Sequence, residues 1–228
     1  MNADTLACIN DEHGELFYFS QGQNKVVHKL IFAGKGDFEA LSYFNGFFYV
    51  ANSQGKIYKV AENEGTVEIM KTSLTNVHNV EGIVFFSPEN AILISPKGLD
   101  EFMGQAKSEI TQSVYIYNLS TGKTEVFFTW EMEELIRLAG KKRVEKFTAS
   151  DMAFHPFDSL LFIVSSAAQS VGIFDFNGRL AGYYALPKKT NVQPEGICFD
   201  KMGNVYISNE GRRGVASISK YAPIRVEK

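Results

Sequence analysis

The sequence predicts an all-β fold: a five-bladed β-propeller of four-stranded antiparallel blades, with one short helix inserted after blade 3. Three observations predict it. First, an acidic residue, a small or apolar residue and an apolar run recur together four times. They read Glu39-Ala40-Leu41-Ser42-Tyr43, Glu81-Gly82-Ile83-Val84-Phe85, Asp151-Met152-Ala153-Phe154 and Glu195-Gly196-Ile197-Cys198-Phe199. The acids are 42, 70 and 44 residues apart, the period of an array of units each too small to bury its own faces. Second, Phe (19 residues), Tyr (10 residues), Val and Ile dominate the apolar runs, as strands prefer, while helical periodicity is scarce. Third, tight-turn signals such as Asn45-Gly46 punctuate the runs.

Taken in order, the first repeat is incomplete. Residues 4–9, 15–19 and 25–32 align with the second, third and fourth strands of a blade, leaving none for the innermost strand. A shortened first blade is the preferred reading; the alternative is that the tail 223–228 fills the place. The second repeat places strands at 40–44, 47–51, 56–60 and 66–70, with the polar loop Asn52-Ser53-Gln54-Gly55 after the second strand. The third runs 82–86, a turn at Ser87-Pro88-Glu89-Asn90, 91–95, 113–118 and 123–128. Its long spacing to the next acid is one blade plus two insertions. Residues 97–112 form a polar excursion. Residues 130–143 place Met132, Leu135 and Ile136 among Glu131, Glu133 and Glu134, with Lys141-Lys142-Arg143 at the end. Acids first and bases last suit the helix dipole, so a short surface helix on the rim is predicted. The fourth repeat has strands at 152–154, 160–164, 170–174 and 180–186, and the fifth at 196–199, 205–208 and 215–221. Residues 1–228 are thus read as a single propeller domain.

Composition narrows the function. A net charge of −3 and a pI near 5.9 give no electrostatic reason to bind nucleic acid or an anionic membrane. No run approaches the 18 apolar residues of a transmembrane helix. Cys8 and Cys198 each fall in an apolar run and are expected to be buried, reduced thiols. The chain carries no Walker loop, GxSxG elbow or HExxH pair, and a monomer is expected.

In a propeller the innermost strand lines the central channel. The loop leading into it and the loop joining the second and third strands open on the same face. The expected inner ring is Glu39, Glu81, Asp151 and Glu195. Around it fall the ligand-face candidates Asp11, Glu12, His13, Asn52, Lys97, Asn209 and Glu210. Converging carboxylates repel, and must be protonated, paired with cations or bridged by a metal. Donors that are nearly all oxygen favour a hard ion, Ca2+ first and Mg2+ second. The competing reading is that each acid accepts backbone N–H groups of the neighbouring blade and serves closure.

These phrases resemble the SdiA-regulated family of propellers. The resemblance rests on Asp37-Phe38-Glu39-Ala40-Leu41-Ser42-Tyr43 with Phe48-Tyr49-Val50-Ala51, and on Val80-Glu81-Gly82-Ile83. It rests also on Ser150-Asp151-Met152-Ala153-Phe154-His155-Pro156 through Leu161-Phe162-Ile163-Val164-Ser165. Gln193-Pro194-Glu195-Gly196-Ile197-Cys198-Phe199-Asp200 with Gly203-Asn204-Val205-Tyr206-Ile207-Ser208 completes it. The Glu-Gly-Ile phrase is shared more loosely with NHL-repeat, phytase-like and lactonase-like propellers. The resemblance implies five blades, a calcium site, no established biochemical activity and a place at the bacterial cell envelope. Two functions follow as expectations. One is a calcium-stabilised binding module that meets a protein or small molecule at the channel-mouth face. The other is a metal-dependent hydrolase of phosphoesters or lactones, with His13 beside Asp11, or Glu210, as general base.

Overall fold

A computed structural model describes residues 4–98, 111–140, 144, 147–211 and 214–223. It is an all-β, five-bladed β-propeller whose strands form five antiparallel sheets in chain order. Blade 1 contains β1 (Thr5–Ile9), β2 (His13–Ser20) and β3 (Lys25–Lys35). Blade 2 contains β4 (Phe38–Phe44), β5 (Phe47–Asn52), β6 (Lys56–Ala61) and β7 (Val67–Lys71). Blade 3 contains β8 (Val80–Phe86), β9 (Ala91–Pro96), β10 (Thr111–Asn118) and β11 (Thr124–Glu131). The helix α1 (Met132–Ala139) follows. Blade 4 contains β12 (Asp151–Phe154), β13 (Leu161–Ser165), β14 (Ser170–Phe174) and β15 (Leu180–Ala185). Blade 5 contains β16 (Pro194–Phe199), β17 (Val205–Asn209) and β18 (Ser217–Tyr221). Blades 2, 3 and 4 have four strands; among the described residues blades 1 and 5 have three. In blade 1 the three are those the sequence assigns to the second, third and fourth places.

The chain divides into two compact units, one of Met1–Ile94 with Ile116–Glu125 and one of Ser95–Tyr115 with Val126–Lys228. In the first, Leu16, Tyr18 and Phe32 of blade 1 are buried with Phe38, Phe48, Val50 and Val60 of blade 2. In the second, Ala153, Phe162, Val164, Val171 and Ile173 of blade 4 are buried with Ile197, Val205 and Ile207 of blade 5. A lone sheet would leave these faces in water. Each fully buried large side chain contributes roughly 1.5–3 kcal/mol, so blade-on-blade packing holds each unit together.

The turns follow from their residues. Asn45 and Gly46 both have positive φ (49° and 82°), as a two-residue hairpin turn requires. Ser87–Glu89 form a 3-10 turn that Asn90 closes in the left-handed region. Helix α1 is shorter than the predicted 130–143. Its start is displaced because Trp130 belongs to β11, 2% exposed among Phe128, Phe147 and Phe174. It stops because Gly140, at φ 82°, turns its N–H back to the Ile136 carbonyl. The helix packs against β15, as expected of a rim helix. Lys141-Lys142-Arg143, most of the 97–112 excursion and the tail after Pro223 lie outside the described residues.

The thiols need a correction. Neither cysteine is in a disulfide, but Cys198 is exposed and Cys8 only half-buried. Both sit on strands, but the apolar run around each does not place it on a covered face. No helix among the described residues is long and apolar enough to cross a membrane.

Candidate functional site

The acids occupy the loop ends of the innermost strands, but not one register position. In blade 2, Phe38 pairs with Asn52 and Ala40 with Ala51, so Glu39 sits in a β-bulge. Blade 5 repeats this: Pro194 pairs with Asn209 and Gly196 with Ser208, leaving Glu195 in the bulge. A bulge re-aims its side chain away from the regular alternation. Blade 4 has none. Asp151 pairs directly with Val164, and counting back from Ser165, the last residue of β13, it fills the place of Ala40 and Gly196. Ser150 stands where blades 2 and 5 carry Glu. The repeated phrase therefore places Asp151 one residue out of step.

That step has a consequence. Asp151 is 8% exposed, whereas Glu39 and Glu195 are half-buried. Its Oδ2 accepts the Ile197 N–H of blade 5 at 2.9 Å, the closure role of the competing reading. Its Oδ1 is buried with no hydrogen-bond partner. Burial pushes the Asp151 carboxyl well above the ordinary range. The N–H groups of Ile197 and Met152 oppose that shift, and the Glu195 charge adds to it.

Asn209 and Gln193 also carry acceptors without donors, as do Gln112 and Asn191 elsewhere in the same unit. Asn209 ends β17 opposite Pro194, and its Nδ2 points to the Ile207 carbonyl while its Oδ1 is buried and unpartnered. Gln193 precedes β16; its Nε2 donates to Glu210 and its Oε1 is buried and unpartnered. Neither amide gains by turning over, because its oxygen would then face another acceptor. The ends of β12, β16 and β17 thus hold two carboxylates and two amide oxygens with a surplus of acceptors. Gly196 is fixed by the same crowding: a Cβ there would meet Ser208 Oγ at 2.4 Å and Asp151 Oδ2 at 3.7 Å.

In the other unit the polar groups are better provided for. Asn52 Oδ1 accepts the Lys56 N–H at 2.8 Å. Asn79 Nδ2 donates to Glu81 Oε1 at 2.6 Å, and Glu81 is 7% exposed. His78, 5% exposed, accepts the Thr75 N–H on Nδ1, which puts its proton on Nε2. The β1–β2 turn holds Asp11, Glu12 and His13, where Asn10 Oδ1 accepts the N–H groups of Glu12 and His13 and lies 3.2 Å from His13 Nδ1. Lys97 is half-buried just after β9, and Arg212-Arg213 lies outside the described residues. Among the described residues no three His, Cys, Asp or Glu side chains group as a metal's ligands would.

Buried Asn191 and His78 and half-buried Gln193 lie outside the acidic phrase, though a second repeat contains them. Thr75-Asn76-Val77 precedes Glu81-Gly82-Ile83 as Thr190-Asn191-Val192 precedes Glu195-Gly196-Ile197. Asn191 is fully buried and donates to the Pro187 carbonyl, Thr190 Oγ1 and Tyr221 Oη.

Comparison with known proteins supports the architecture. No curated protein matches this chain. The crystal structure of the Myceliophteria thermophila Cps50 (Swd1) β-propeller domain aligns with a TM-score of 0.50 at 10% identity, over 92% of this chain and 60% of that one. The computationally designed Ika8 protein aligns with a TM-score of 0.46 at 11% identity, over 96% of this chain and 56% of that one. The chain therefore spans about 60% or less of either structure, and the likeness to the first shows the fold alone. The family model that matches is that of the SdiA-regulated proteins, over residues 114–213, the same family that the repeated motifs resemble.

Proposed function

We propose that this propeller is a non-catalytic binding module, stabilised by Ca2+ held at the loop ends of its innermost strands and working at the bacterial cell envelope. The observation that carries the reading is Asp151 Oδ1, a buried carboxylate oxygen with no hydrogen-bond partner that feels the Glu195 charge, in the unit that also holds the unpartnered oxygens of Gln193 and Asn209. Calcium accepts carboxylate and amide oxygens together in irregular shells and completes them with water, so such a donor set suits it better than Mg2+, which demands near-octahedral geometry. In the other unit Glu81 accepts from Asn79 and Glu39 also has an interaction of its own, so Asp151 and Glu195 are the acids proposed to hold the ion. The envelope placement follows the family likeness, and fractionation of native cells tests it. The hydrolase reading finds less support. The His13 ring lies against Asn10, and Glu210 accepts from Gln193, so each candidate base is already engaged by an amide side chain.

Thermal melts in EDTA, Ca2+ and Mg2+ test the proposal. At a hundredfold excess over the dissociation constant Ca2+ should stabilise by about 2.7 kcal/mol. Asp151→Asn keeps the volume, removes the charge and should abolish the calcium-selective rise. A rise of undiminished size in that variant, or no rise in the parent chain, would overturn the site.

A further inference from the structure

We propose that the free edge of β3 is a docking strand for an extended, acid-rich segment of a partner protein. With 11 residues β3 is the longest strand among those described. It ends the sheet order β1-β2-β3, so β2 satisfies one side of its backbone while no strand lies against the other among the described residues. Register shifts at Val27 and between Ile31 and Lys35 interrupt its ladder with β2, so the regular stretch of the edge is His28–Ile31, whose outward N–H and C=O groups an added strand would pair. The side chains suit such pairing. Val26, Val27 and Ile31 are 52%, 45% and 66% exposed, and β-branched residues gain most from a cross-strand neighbour. The other outermost strands run five to eight residues.

Charge selects the occupant. β3 carries Lys25, His28, Lys29 and Lys35 and no acid. Only Lys29 has an ion pair shown, with Glu15 at 2.5 Å. Lysines on an open edge discourage a second copy of the same strand, since pairing two β3 strands sets cation against cation. They do not discourage a strand of opposite sign. Across the register shifts, Val26, Lys29, Ile31 and Lys35 lie opposite Phe19, Phe17, Glu15 and His13 on one face, while half-buried Leu30 lies on the other. A cation therefore alternates with an aliphatic, and the complementary segment alternates Asp or Glu with Val or Ile. Mixed pairing of this kind is weak, specific in register and sensitive to salt.

The test is fluorescence anisotropy of the full chain with a dye-labelled synthetic peptide that alternates Glu and Val. The peptide should bind saturably, and its all-Lys counterpart should not. The double reversal Lys25→Glu with Lys35→Glu, on exposed side chains, should weaken binding by about tenfold or more while leaving the melting temperature near that of the parent. Val27→Asp, a second variant at the same edge, should do likewise. Amide hydrogen exchange should slow in β3 when the peptide binds. Equal binding by the charge-reversed chain, protection confined to another strand, or self-association of the chain through β3 would each overturn the proposal.

Discussion

The loop ends of blades 2 and 5 share a bulge, a carboxylate in that bulge and an asparagine closing the second strand, yet the two asparagines end differently. Asn52 Oδ1 accepts a backbone N–H from Lys56; Asn209 Oδ1, buried as deeply, accepts none. The small-residue pair below the bulge differs as well. Blade 2 sets Ala40 against Ala51, and blade 5 sets Gly196 against Ser208. One end is finished by its own chain. The other is crowded, rich in acceptors and short of donors. Under the proposed function, this difference is what would adapt blade 5 and its neighbour Asp151 to a ligand.

The largest expected effect comes from forcing the blade 2 solution onto blade 5. Gly196→Ala brings a Cβ to 2.4 Å from Ser208 Oγ, closer than real contacts allow. It should destabilise by about 1–3 kcal/mol, the usual range for overpacking. Adding Ser208→Ala recreates the Ala–Ala pair of blade 2 and should recover most of the loss. Chemical denaturation of the single and double variants measures the coupling. If the double variant is no better than the single, the two small-residue pairs are not equivalent and the comparison fails.

Much of this was legible before any coordinates. The strand positions of blades 2 and 4 follow from alternation and from turn residues, because both are local in the chain. The helix was legible as a pattern but not in its limits, since only tertiary packing shows that Trp130 is needed in the aromatic core beside Phe174. The acidic phrase found the right ends of the right strands and hid the register. A bulge adds one residue without changing composition, so Glu195 and Asp151 look equivalent in sequence and differ by one step in the ladder. The orphaned oxygens of Gln193 and Asn209 depend on which partners the fold brings near, information that no spacing carries.

Asp151 supplies the next test, read against pH. Its folded-state carboxyl titrates well above the ordinary value because it is buried, so the native state holds the proton more tightly than the unfolded chain does. Stability from this group is full below the unfolded pKa of about 3.9 and is lost as pH rises through the raised folded value. In EDTA the melting temperature should therefore fall as pH rises across that window, and Asp151→Asn should flatten this part of the profile. Calcium works in the opposite sense: it binds the charged form, so its stabilisation should grow as the proton leaves. Parallel melting profiles with and without Ca2+ would remove the ion from Asp151.

The smallest effect separates the two asparagines themselves. Asn52→Ala removes a side chain 7% exposed and strips the half-buried Lys56 N–H of its acceptor, and should cost about 1–2 kcal/mol, since that donor is left unmet. Asn209→Ala removes an oxygen that satisfies nothing and an amide whose contact to the Ile207 carbonyl is long at 3.4 Å. In EDTA it should cost about half as much or less, mostly as lost packing. Addition of Ca2+ then reads the function directly. The melting temperature of Asn52→Ala should rise as the parent's does, while that of Asn209→Ala should rise less, because one of the oxygens offered to the ion has gone. Equal costs in EDTA and equal responses to calcium would mean that the unmet acceptor of blade 5 is a tolerated imperfection, not part of a site.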